Sequence, residues 1–120
     1  MKYNSDFRHD LEFGQLGEKT VADIVAGDKT EVKSERDMWT KTGNHFVEIQ
    51  SRGKESGICT TEAKYWSVNF YKSGKFRFNI TLEVEELKNI VLKHKSNKVK
   101  GGDNDTSYGI LVPIKELIGY

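Results

Sequence analysis

One hundred and twenty residues suffice for a single domain that buries about two-thirds of its unfolded surface around one core. With 31% charged and 36% hydrophobic residues and apolar runs that stop at three, as at Ile110 to Val112, the chain excludes a membrane-spanning helix. The single cysteine, Cys59, excludes an internal disulfide and a cysteine-rich zinc site; with an N-terminal MKYNSDFRHD that lacks a signal-peptide core, it predicts a cytoplasmic, reducing setting.

The first predicted helix runs from about Asp10 to Ala26, with Leu11, Gly14, Glu18, Val21, Ala22 and Val25 on one inward face and Gly27 as its stop. DKTEVKSE then reads as a strand, followed by a long polar turn through Thr42-Gly43-Asn44 and a second strand, HFVEIQS. A glycine-bearing loop from Arg52 to Gly57 leads to a helical turn near Thr60 or Thr61. WSVNFY and KFRFNI form a hairpin about Ser73-Gly74, because both arms are rich in aromatic and β-branched residues around a turn pair. A helix from about Glu83 to His94 places Leu87, Ile90 and Val91 on one face. Ser96 to Thr106 reads as a polar loop, and SYGILVPI as a final buried strand closed by a short helix through Leu117. Helix, antiparallel strands, helix, strand is an α/β arrangement with one mixed sheet flanked by helices.

Nineteen basic against eighteen acidic residues give a net charge of +1, but the charges are unevenly spread. Residues 72–100 carry eight basic against three acidic groups, a local +5, whereas residues 28–64 balance seven against seven. A basic stretch beside an acidic cluster suits a metal-dependent enzyme acting on a polyanion; a solvated, lysine-rich surface has the same composition. Within the acidic region, Glu31, Lys33 and Glu35 alternate with Thr30, Val32 and Ser34, so the three charged groups share one strand face. Such a face is ordinarily solvated. Glu18 on an apolar helical stripe, however, calls for a partner, because a lone buried carboxylate is expensive. If that helix crosses the charged face, Glu18, Asp28, Glu31 and Lys33 converge. Three carboxylates suit Mg²⁺, and the ammonium would orient water or stabilise phosphate charge.

The EVK of Glu31-Val32-Lys33, preceded by Asp28 and by a helix carrying Glu18, resembles the signature of the PD-(D/E)xK nucleases, which include restriction enzymes and Holliday junction resolvases. DLEFGQLGE (10–18), EVKSERD (31–37), TGNHFVEI (42–49), SRGKESGI (51–58), TTEAKYW (60–66) and GGDN (101–104) resemble the blocks of a small bacteriophage-type branch, so the likeness spans most of the chain. It implies a restriction-endonuclease-like core of order α-β-β-β-α-β in one nuclease domain over 1–120. It also implies Mg²⁺, with Mn²⁺ as a substitute, held by Asp28 and Glu31 with support from Glu18, and Lys33 as the catalytic lysine. Two residues separate Asp28 from Glu31 where the family places a hairpin, and Gly27 stands where a proline is usual. A second register is therefore open, with Glu31 in the aspartate's place and Glu48-Ile49-Gln50 as a variant of the ExK element. Glu48 is a metal or supporting residue in either register.

Arg36, Trp39, Lys41, His45, Arg52 and Lys54 lie on predicted turns or strand ends beside these residues and are candidate DNA contacts, by phosphate pairing or base stacking. The expected activity is hydrolysis of DNA phosphodiesters, on duplex or branched substrates, in a host cytoplasm. Symmetric cutting of a junction would favour a homodimer, with the aromatic hairpin of Trp66, Phe70, Phe76 and Phe78 as its surface. The rival from another class is a catalytically inactive nuclease fold that only binds DNA or a protein; a nuclease of RNA or single strands, stacking bases near Trp39, is a further alternative. Histidines at 9, 45 and 94 show no zinc spacing, and no phosphate-binding loop, nucleophile elbow or dinucleotide fingerprint is present.

Overall fold

The computed structural model describes residues 7–27 and 29–120, with side chains at 11–27, 29–102 and 104–120. Helix α1 (Phe7–Val25) leads to strand β1 (Thr30–Arg36), the one-turn helix α2 (Trp39–Thr42), and strands β2 (Asn44–Ser51) and β3 (Lys54–Glu55). A 3-10 turn (Gly57–Cys59) precedes the hairpin of β4 (Tyr65–Lys72) and β5 (Lys75–Glu83). Helix α3 (Val84–Lys93), strands β6 (Lys98–Gly101) and β7 (Ser107–Pro113), and helix α4 (Ile114–Leu117) complete the chain. Among the described residues, no helix is long and apolar enough to cross a membrane.

The α/β class is as read from the sequence, but the strands divide between two sheets rather than forming one. A mixed sheet has the order β1-β4-β5, with β1 parallel and β5 antiparallel to β4; an antiparallel sheet has the order β3-β2-β7-β6. A parallel pair needs a long crossover. Between β1 and β4 that crossover carries α2, β2 and β3, so a piece of the second sheet stands where a helix is usual. Trp66, Val68 and Phe70 of β4 pack with Val47 of β2 and with Ile110 and Val112 of β7, all fully buried or nearly so. Val84, Leu87, Ile90 and Val91 of α3 join this core, with Ile58 and Leu117. Glu85 and Glu86 in the first turn of α3 and Lys93 in its last complement the helix dipole.

The hairpin turns at Ser73-Gly74, both with positive φ, and the Ser73 N–H donates to Asp37 Oδ1 at 2.7 Å. Phe46 closes the far side of the antiparallel sheet over Gly101 and Gly109. A Cβ on Gly109 would lie 2.5 Å from the Phe46 ring and 2.8 Å from the Val47 carbonyl oxygen, so this glycine is required by close approach. The segment read as a polar loop contains β6, which pairs with β7 from Lys98↔Ile110 to Gly101↔Ser107.

Helix α1 departs most from expectation. It forms, but none of its described side chains is buried: Leu11, Phe13, Leu16, Val21 and Val25 are all exposed, and Thr20, Asp23 and Ile24 are half-buried. The surface it was expected to cover, the charged face of β1, faces β2 instead. One contact that ties its end to the sheet is the Thr30 hydroxyl, which donates to the Ile24 carbonyl at 3.0 Å.

Candidate functional site

Strand β1 presents Glu31, Lys33 and Glu35 to the interior and Val32, Ser34 and Arg36 to solvent. This inverts the usual solvated charged face, and the pairing explains it. Glu31, Lys33 and Glu35 lie opposite Trp66, Val68 and Phe70 of β4, so they share the face that packs the core. Charged groups there need partners. Glu35 Oε1 accepts from the Phe46 backbone N–H at 3.1 Å and bonds His45 Nδ1 at 3.0 Å. Glu31 Oε1 accepts from the Thr61 hydroxyl at 3.2 Å, and its Oε2 lies 3.9 Å from the Lys33 ammonium. Lys33 Nζ stands 5.3 Å from the centre of the Trp66 ring, within cation–π range.

His45 is only 1% exposed, so it is a core residue and not the DNA contact expected from its place in the sequence. The Trp66 indole N–H donates to its Nε2 at 3.1 Å. An indole nitrogen can only donate, so Nε2 carries the lone pair and the ring hydrogen sits on Nδ1, directed at Glu35. Glu35, His45 and Trp66 thus form a continuous chain of hydrogen bonds that fixes the indole plane. That plane is the surface on which Lys33 rests.

Lys33, Ser34, Glu35, His45, Phe46, Glu48, Trp66 and Gly102 line a groove of about 200 Å³ between the two sheets. Glu48 reaches it from β2, and the Ser56 hydroxyl donates to its Oε2 at 2.8 Å. Gly57 makes this contact possible: a Cβ there would lie 2.1 Å from the Glu48 carbonyl oxygen, and its φ of 58° favours glycine. Glu31 opens instead to an adjoining, more open depression with Thr30, Thr60, Thr61, Glu62 and Ala63.

Other candidates fall elsewhere. A β-bulge between Glu48 and Gln50 sets Glu48 opposite Gly109 and Gln50 opposite Tyr108, which are consecutive residues. The two side chains therefore point to opposite faces, and the extra residue removes the shared face that the Glu48-Ile49-Gln50 register requires. Glu18 is exposed on α1, and that helix does not cross the charged face. Asp28 lies outside the described residues. Trp39 is half-buried, donates its indole N–H to the Tyr71 carbonyl at 2.8 Å, and meets Phe70 and Phe78 edge-on; it packs the hairpin against α2. Arg36, Lys41, Arg52 and Lys54 are exposed, and none of them lines the groove. Trp66 and Phe70 belong to the core, whereas Phe76 and Phe78 are exposed.

Among the described residues, no three His, Cys, Asp or Glu side chains are placed to hold a metal ion together. The donor set still fits Mg²⁺ in kind, since that ion commonly takes one or two carboxylates and completes its shell with water and substrate phosphate. Glu31 and Glu48 carry such oxygens, although they line different depressions. Cys59 is exposed; partial burial and then Glu55 push its thiol up, against the lowering effect of Lys88, so it is a poor nucleophile at neutral pH.

The sequence reading did not assign Glu35, Ser56, Thr61 or Trp66 to the site. The alternation that links Glu31 to Lys33 continues to Glu35 and was the available signal for one of them. No protein-family model, curated protein or solved structure matches the chain.

Proposed function

We propose that this chain is a metal-dependent endodeoxyribonuclease of the PD-(D/E)xK kind, centred on Glu31 and Lys33 of β1. The observation that supports it is a half-buried lysine held beside a carboxylate and over a fixed indole, in a groove that Glu48 also lines. Glu31 would hold Mg²⁺, with Glu48 and Asp28 as further oxygen donors. When bound, the ion supplies charge neutralisation at the phosphate and a more acidic water. Lys33 contributes a positive charge already in place, which stabilises the negative charge that develops on phosphate oxygens and orients the attacking water. Thr61 holds Glu31. Both donors that reach Glu35 converge on its Oε1, which makes Glu35 a positioning residue for His45 and Trp66. Two-strand cutting would bring two copies together, with exposed Phe76 and Phe78 as the contact; Phe78→Lys should then lower the sedimenting mass.

One observation favours the rival, a module that binds without cutting. Glu31, Glu35 and Glu48 each already accept a hydrogen bond from the protein, as structural carboxylates do. Inward charges also protect an edge strand, and β1 is one. The two readings separate in one experiment: supercoiled plasmid and a synthetic four-way junction are incubated with Mg²⁺, Mn²⁺ or EDTA, using wild type and Glu31→Ala. Cutting that requires metal and fails in Glu31→Ala, together with a rise in melting temperature on adding Mg²⁺, supports the nuclease. Binding without cutting under any metal supports the module.

A further inference from the structure

We propose that Lys98, Tyr108 and Lys100 form a second anion site, separate from the Lys33 groove, that grips the phosphate backbone of duplex DNA. The proposal rests on the nucleic-acid substrate of the nuclease reading and names where the protein would hold it. Strand β6 is the edge of the antiparallel sheet, and its pairing sets Lys98 opposite Ile110 and Lys100 opposite Tyr108, so both lysines share the face that bears the Tyr108 ring. Lys98 Nζ lies 4.7 Å and Lys100 Nζ 5.9 Å from the ring centre. Both lysines are exposed and the tyrosine is half-buried. Among the described residues, neither ammonium has a carboxylate partner, as is also true of Lys72 and Lys75.

Two like charges drawn to one ring repel each other, and an anion between them relieves that repulsion. The ring quadrupole offsets part of it and limits the freedom of both long side chains, so less entropy is lost when a phosphate binds. The location is also apt. The groove sets Glu35 and Glu48 against the one cation Lys33, so cations elsewhere would help to bring the backbone in. Strand β6 supplies them: it ends at Gly101, and the next residue, Gly102, lines the groove.

Edge protection by lysine is the simpler account of the same residues, and it makes different predictions. Binding of a short fluorescent duplex is measured by anisotropy in EDTA across a salt series, for wild type, Lys98→Gln/Lys100→Gln, and Lys72→Gln/Lys75→Gln as a control of equal charge change on the hairpin. The β6 pair of substitutions should weaken binding at least about fivefold. The slope of log K against log salt should fall by up to about 1.8, the value for two lost phosphate contacts. The control should change both much less, and Lys98→Arg/Lys100→Arg should restore them. Equal losses in the two pairs, no loss in the β6 pair, or no duplex binding by wild type would each overturn the site. The nuclease reading fails separately: a wild type that binds duplex through β6 and never cuts it leaves this site standing and removes the enzyme.

Discussion

Helix α1 and strand β1 are consecutive and both carry charged residues, yet they meet opposite fates. Along β1, inward Glu31, Lys33 and Glu35 each acquire a partner, because the strand lies parallel to buried β4 and faces β2. Along α1, an apolar stripe of good period buries nothing among its described side chains. Periodicity therefore states which residues could share a face, whereas burial depends on what the rest of the chain brings to that face. Most helical stability in proteins comes from packing, so α1 is the weaker element despite its length.

The largest expected effect lies at the centre of the β1 network. Trp66→Ala should cost about 3–5 kcal/mol in chemical denaturation, through the cavity it leaves and the loss of the donor to His45. A cost below about 1 kcal/mol would mean that the indole does not organise the core. Glu35→Ala should cost about 1–3 kcal/mol, because the Phe46 N–H and the His45 ring lose their acceptor. Glu35→Gln keeps an oxygen there and should cost clearly less; equal losses would assign the effect to charge. Glu18→Gln, on the exposed helix, should shift stability by no more than about 0.5 kcal/mol. Hydrogen exchange sharpens the contrast further, with α1 amides exchanging early and β4 amides last. Protection of α1 equal to that of β4 would show that the helix is covered in solution.

Local signals in the sequence carried far. The aromatic arms about Ser73-Gly74 form the hairpin, Leu87, Ile90 and Val91 face the core from α3, and Glu31, Lys33 and Glu35 do share a face. What escaped notice depends on partners distant in the chain. Strand β6 looks like a polar loop because its pairing surface is β7 and its lysines lean on Tyr108. His45 looks like a surface contact because its burial requires Glu35 from one strand and Trp66 from another. The division into two sheets likewise follows from a parallel crossover, which leaves no period in the sequence. The bulge at Ile49 inserts a residue that strict alternation does not foresee, and it separates Glu48 from Gln50.

Under the proposed function, Lys33, held over Trp66 beside Glu31, is a working group and not only a guard on an edge strand. The most direct measurement is the rate of supercoiled-plasmid cleavage in Mg²⁺ by wild type and Lys33→Ala, with circular dichroism to verify the fold of the variant. The wild type should cleave, and the folded variant should lose at least about a hundredfold in rate, the scale for removing one preorganised stabiliser of transition-state charge. Undiminished cutting by Lys33→Ala, or a wild type that does not cut in any metal, would contradict it.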